Sequence, residues 1–269
     1  MRPDHKAEMK ERARNICLVV AYDGTRYHGF QRQTPPVVAV QNVLEERLAP
    51  LFGDSIELAA AGRTDAGVHA LGQVVNFFTD GRIPIERVVR AANDVLPRDI
   101  VVRRAFEADR DFSALHSARE KTYRYRILRG ETPNPFERDF TWYVGRPLDT
   151  EAMAQATASL VGTHDFSSFR AAGGAPMSPV RTMLEAVCRE EGDLFSLRFR
   201  ADGFLYHMVR NIVGTLVNVG LGRLSPEGFA DIMEARDRKR AGATAPATGL
   251  CLLRVDYDAP WYRPMEDIV

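Results

Sequence analysis

The chain is short of almost everything that marks a metal, cofactor or membrane protein. Its three cysteines, Cys17, Cys188 and Cys251, are scattered and form no C-x-x-C pair. Reduced core thiols are therefore expected rather than a disulfide framework or a zinc site. The six histidines show neither H-x-x-x-H nor H-E-x-x-H spacing. There is no G-x-x-x-x-G-K, no G-x-G-x-x-G after a strand and no G-x-S-x-G. These absences lead to the expectation of chemistry with no metal and no cofactor. No apolar run approaches the roughly 20 residues of a membrane helix. The opening MRPDHKAEMKERARN is polar and mixed in sign, without the apolar centre of a secretory signal. A cytoplasmic protein with no membrane partner is expected. An excess of charge is missing too: 36 basic residues balance 36 acidic ones. Nucleic-acid binding is thus not announced globally and has to be argued from local clusters.

What is present is an ordinary globular composition, 45% hydrophobic and 27% charged over 269 residues. That length suits one large domain or two smaller ones. NICLVVAYDG reads as a buried strand closed by a turn signal, and VVAVQNVLEERLAPLF as a helix with Val40, Leu44, Leu48 and Leu51 at helical spacing. IELAAA and VHALGQVVNFF read as strands, IPIERVVRAANDVLP as a helix stopped by Pro97, and IVVRRAFEA as a closing strand. The order is β-α-β-β-α-β, the ferredoxin-like pattern. The second half is read as repeating that order: KTYRYRIL as a strand, FTWYVGRPL as an extra one, and TEAMAQATASLVG as a helix. TMLEAVCREEGDLFSLRFRADG follows as a hairpin turning at Glu191-Gly192-Asp193, then HMVRNIVGTLVNVGLG as a helix. SPEGFADIMEARDRK is a helix capped by Ser225 with Pro226 at its first position, and LCLLRVDYD is the last strand. The expected fold is α+β: two ferredoxin-like halves in a pseudo-twofold arrangement, with a mixed, mostly antiparallel sheet and a cleft between them. The expected boundaries are a polar tail at 1–14, halves at 15–110 and 111–260, and a second tail at 261–269.

Three stretches carry possible chemistry. In GRTDAG, residues 62–67, Asp65 and Gly67 read simply as a turn. The flanking strands are nearly all apolar, however, and Arg63 stands two residues before Asp65, where a guanidinium favours an ionised carboxylate. In FLYHMVRNIVGTLVNVGLG, Arg210 shares its helix side with Tyr206, Val213 and Val217, while Leu205, Met208, Ile212, Leu216 and Val219 cover much of the rest. A helix so apolar all round is largely buried, and a buried guanidinium needs a structural ion pair or a ligand phosphate. Asp65 is the candidate partner with most functional content. In REKTYRYRILR, Lys121, Tyr123 and Tyr125 face one way, and Arg124 and Arg126 the other. A tyrosine backed by cations suits base stacking and phosphate neutralisation, but it also describes an edge strand with snorkelling side chains. ARDRKR, ending at Arg240, is a basic helix end that complements the helix dipole.

Taken together, these residues resemble a family. AAGRTDAGVHALGQVVNF resembles the catalytic motif of the TruA-type tRNA pseudouridine synthases. AYDGTRYHGFQRQ, VQNVLEERL, ANDVLPRDI, SAREKTYRYRI, GTHDFSSFR, FLYHMVRNIVGTLV and ATGLCLLRVDY are similar to further motifs, in family order, from about Ile16 to Tyr257. The resemblance implies isomerisation of uridine to pseudouridine in the anticodon stem-loop of tRNA, by a homodimer, without cofactor or metal. It implies that Asp65 is catalytic, either attacking the sugar or taking a proton from C2′, and that Tyr123 stacks on a flipped uracil. Arg210 corresponds to the family's helix arginine, and it and Arg63 are expected to lower the pKa of Asp65. Lys121, Arg124 and His69 are expected to contact substrate. One departure stands out: the family usually reads Phe-His-Ala-Arg where this chain has FSAL, with Ser113 and Leu115. Two other classes compete. A non-catalytic RNA-binding module would use Asp65 only as a turn residue, and a glycosidase would need a second carboxylate at a set separation.

Overall fold

Arg14–Tyr22 is a strand because its run of β-branched and aliphatic residues suits a pleat buried on both faces, and Ile16 to Val20 are fully buried. This is β1 of the computed structural model, which describes residues 12–53, 55–174 and 176–263. The helix α1, Val40–Phe52, buries Val40, Leu44, Leu48 and Phe52, one residue per turn. After it come β2 (Ala59–Ala60), β3 (His69–Thr79), α2 (Ile85–Val95) and β4 (Ile100–Ala108). β1 runs antiparallel between β3 and β4, with Ile16 opposite Phe77 and Glu107, and β2 pairs with β3 at Ala60–Val75. The spatial order β4-β1-β3-β2 is that of a ferredoxin-like sheet.

Only two residues of IELAAA enter a ladder. Upstream, α1 takes over the backbone: the Leu58 amide donates to Glu45 Oε1 at 2.9 Å, and Gln41 Nε2 donates to the Leu58 carbonyl at 3.2 Å. A side-chain partner satisfies these buried groups as well as a strand would.

Residues 12–119 together with 252–263 pack as one compact unit, and residues 120–251 as a second. The last strand, β10 (Leu250–Tyr257), gives its residues from Leu252 onward to the first unit, next to β3. At Gly72 a Cβ would stand 3.2 Å from the Leu253 carbonyl carbon and closer still to its oxygen. Beyond β10, Trp261 and Tyr262 are anchored rather than loose. Trp261 stacks edge-on against Phe112 (4.8 Å) and donates to Asp109 Oδ2, and the Tyr262 hydroxyl donates to the Val255 carbonyl.

The second unit is built on β5 (Ala118–Leu128), β9 (Leu194–Ala201), β8 (Val180–Glu191) and β7 (Gly162–Asp165), neighbours in that order. β8 and β9 are the expected hairpin, with Gly192 at φ +58° between Glu191 and Asp193. β7 was not foreseen, since GTHD is too short to show a period. The extra strand shrinks to β6 (Trp142–Tyr143), which runs parallel to the end of β5 and makes the sheet mixed. Three helices complete the unit: α3 (Thr150–Ala158), α4 (Met208–Gly220) and α5 (Pro226–Ala235). α3 packs on α4, α5 and β8. Ser225 caps α5 as expected, accepting from the Gly228 amide at 3.0 Å. With ten strands and five α-helices among the described residues, the α+β class holds.

Candidate active site

Ala61 to Val68 links β2 to β3, and its shape is imposed by the segment after β1. The Phe30 amide donates to the Thr64 carbonyl at 3.0 Å, and the Gly67 amide to the Tyr27 carbonyl at 3.3 Å. The Thr64 side chain is buried, its hydroxyl 2.8 Å from the Tyr22 hydroxyl. At the near end, Gln73 Nε2 donates to the Gly62 carbonyl. The chain reverses at Ala66-Gly67, where the Val68 amide returns to the Asp65 carbonyl and Gly67 takes φ +77°. Asp65 is therefore half-buried on a backbone pinned on both sides, next to a fully committed threonine. Arg63 differs: its side chain is exposed, and it forms no ion pair among the described residues.

His69, expected to touch substrate, opens β3 directly after this turn and is only 4% exposed. Its Nδ1 accepts from the Gly24 amide at 3.1 Å and stands 3.2 Å from Asp23 Oδ1. One nitrogen serves one of these at a time. Through this nitrogen His69, at the start of β3, is linked to the Asp23-Gly24 segment. Burial would raise the Asp23 carboxyl, but the Thr25 hydroxyl at 2.6 Å and amide at 3.0 Å outweigh it, with His69 beside them. The group is held below its usual range.

A second anchor is one that sequence reasoning gave no role. Asp99 accepts from the Tyr27 hydroxyl at 2.9 Å, pairs with Arg26, and through its backbone carbonyl takes the Asp23 amide at 2.9 Å. Burial, and after it the bond to Asp99, pushes the Tyr27 hydroxyl well above its ordinary range, so it remains a donor. Tyr27 is also the residue whose carbonyl holds Gly67. Both residues sit in stretches matched by resemblance, AYDGTRYHGF and ANDVLPRDI. Their contact spans 72 residues of sequence, which no local pattern reveals.

In the second unit, β5 alternates as its sequence indicated. Tyr123, 8% exposed, stands opposite Phe199 on β9 and packs edge-on to Phe204 at 5.0 Å. Lys121 shares that face; burial, aided by the nearby Arg181 charge, lowers its ammonium pKa to about 8. Tyr125 is fully buried, and its hydroxyl donates to the Pro246 carbonyl. Arg124 projects from the opposite face, directly across the ladder from Arg198, and burial lowers its pKa. Strand geometry thus separates Arg124 from Tyr123, although both were expected to bind substrate. Beside it, Arg126 pairs with Glu137 at 3.0 Å.

Arg210 lies in the first turn of α4. It is half-buried rather than fully enclosed, and its Nε donates to the Ala245 carbonyl at 2.8 Å. Tyr206, expected on the same helical side, precedes the helix and is 43% exposed. The chain enters α4 through His207 at φ +59°, which ends the helical phase on which that expectation rested. Among the described residues, no group of three His, Cys, Asp or Glu could hold a metal ion, and no helix is long and apolar enough to cross a membrane.

Comparison with known proteins bears directly on this turn. Residues 18–115 and 156–258 match the family model described as tRNA pseudouridine synthase, which includes the Asp65 turn, the segment bracing it, Arg210 and β10. The chain is 48% identical over 243 residues to tRNA pseudouridine synthase A of Moorella thermoacetica, covering 90% of this chain and 99% of the relative. It is 46% identical over 244 residues to that of Pelobacter propionicus, covering 91% and 100%. It is 44% identical over 244 residues to that of a Thermoanaerobacter species, again covering 91% and 100%. A match at this level, along nearly the whole of both chains, shows that the chain belongs to the tRNA pseudouridine synthases, isomerases that convert uridine to pseudouridine.

Proposed function

We propose that Asp65 starts the isomerisation, and the observation that carries this reading is the turn pinned around it. A carboxylate that must meet C1′ or the C2′ hydrogen of a flipped nucleotide gains most from a backbone with no freedom of its own. The Phe30–Thr64 and Gly67–Tyr27 bonds supply that restraint on either side of Asp65. In the reaction the N1–C1′ bond breaks, the uracil turns, and a C5–C1′ bond forms. The C5 proton then departs and N1 gains one, so that product and substrate are isomers. Tyr123 stacks on the flipped uracil, a role supported by its buried, edge-on packing against Phe204. Arg210, the helix arginine of the resemblance, is assigned to the reaction as its cation. Arg63, exposed and without an ion pair among the described residues, turns to an RNA phosphate instead. Lys121 adds a charge for the backbone below about pH 8. His69 links the start of β3 to the Asp23-Gly24 segment, and Arg124 is not assigned to the uracil pocket.

The substrate is tRNA; its anticodon stem-loop is the site we propose, with the enzyme acting as a cytoplasmic homodimer, as the resemblance implies. Asp65→Asn tests the central step. Release of tritium from tRNA labelled at uridine C5 should be abolished while tRNA binding stays within about threefold. Normal turnover by this variant refutes the assignment of Asp65. Mapping pseudouridines in tRNA after incubation locates the modified positions.

A further inference from the structure

Of the basic residues in ARDRKR, Arg236, Lys239 and Arg240 are exposed, whereas Arg238 is turned inward. Among the described residues no carboxylate pairs with it. Its Nη1 donates to the carbonyls of Ala241 (3.3 Å) and Gly242 (2.9 Å), and its Nη2 to Asn211 Oδ1 (3.0 Å) and Thr244 Oγ1 (3.3 Å). The guanidinium therefore ties the segment 241–246 to the first turn of α4. Asn211 is fully buried, and its other contacts are also committed. Its Nδ2 donates to the Phe169 carbonyl, its Oδ1 also accepts from Thr244 Oγ1 at 2.7 Å, and its carbonyl accepts from Thr215. The segment lies directly on the helix. A Cβ on Gly214 would stand 3.0 Å from the Ala243 carbonyl carbon and closer to its oxygen, and the Gly242 amide donates to Thr215 Oγ1.

The end of this segment is where Arg210 is held. Ala245 donates its amide to the Arg210 carbonyl at 3.0 Å and accepts from Arg210 Nε at 2.8 Å. A bond at Nε fixes the plane of a guanidinium and hence the direction of its remaining donors. We propose that Arg238 is a positioning residue that aims Arg210, through the 241–245 strap and the Ala245 carbonyl. The functional half of this statement rests on the role given to Arg210 above.

The test uses the full-length enzyme with Arg238→Met, which keeps the side chain's bulk but removes all four bonds. Thr244→Val is a milder companion that loses only the hydroxyl link. In a crystal structure of R238M the Arg210 Nε–Ala245 bond should be broken and the Arg210 side chain redirected. An Arg210 unmoved at 2.8 Å overturns the positioning proposal, whatever the enzyme does with tRNA. Kinetically, kcat should fall roughly ten- to hundredfold with KM for tRNA within about twofold, as for a misplaced catalytic group. T244V should show the same split, at about three- to tenfold, and decides the matter if R238M does not fold. The double variant R210K/R238M should lose no more than about threefold beyond R210K, because both act through one guanidinium. Effects that multiply, or a loss seen wholly in KM, overturn the proposal. Full activity of R210K alone would instead refute the role of Arg210, a separate result from the crystallographic one.

Discussion

Replacing Gly24 with alanine offers a steric test of how tightly the Asp65 turn is built. Gly24 does not need glycine for its φ, so the added methyl acts through space alone. That methyl would stand 2.6 Å from the Val68 carbonyl carbon and 3.1 Å from the Val68 nitrogen, against 3.4–4 Å for ordinary contact. Both neighbours are backbone, and neither can swing aside. The segment after β1 and the turn must therefore part by about 1 Å, a displacement that can cost about a hundredfold in rate when it shifts a catalytic group. Overpacking of this kind also costs about 1–3 kcal/mol of stability. The opening also stretches the Gly24–His69 bond, 3.1 Å in the native fold. Tritium release under single-turnover conditions should fall by one to two orders of magnitude, while filter binding of tRNA changes little. A variant that folds with native melting behaviour and turns over at the wild-type rate would refute the argument that the turn's position is set by this contact.

Two further outcomes are expected. Leu115, 50% exposed, stands where the family usually has arginine. Leu115→Arg should lower KM for tRNA and steepen its dependence on salt by about one ion, with kcat unchanged; an identical salt slope would show that this position does not approach RNA. Lys121 has a folded-state pKa near 8, below its value of 10.5 when unfolded. The cost of charging it is fully present below pH 8 and disappears as pH rises toward 10.5, since the unfolded chain then holds the extra proton. Urea denaturation should accordingly show Lys121→Met more stable than wild type at pH 7, with the difference closing by pH 10. A gap independent of pH would assign the effect to packing instead.

The parts of the fold legible in the sequence are those with a local cause. β1, β3, β4 and the β8–β9 hairpin follow from apolar runs and alternation, and α5 from its Ser225–Pro226 start. The separation of Tyr123 from Arg124 was legible too, since period two puts neighbours on opposite faces. What escaped depended on distant partners. Leu58 left the strand because Gln41 and Glu45 reached its backbone. Asp99 acquired its role from Tyr27, and Arg238 from Asn211, 27 residues away. GRTDAG showed which residue type was exceptional, but not that Arg63 would face outward while its neighbour Thr64 was locked inside.

The division of β10 bears on how the protein is made. The unit carrying Asp65 recruits Leu252 onward, while the whole of 120–251 lies between in the chain. During synthesis, β1 to β4 leave the ribosome long before the strand that belongs beside β3. The other unit has emerged in full by Cys251. The unit carrying Asp65 is thus the first begun and the last finished, and a chain that ends before Leu252 has an open sheet edge along β3.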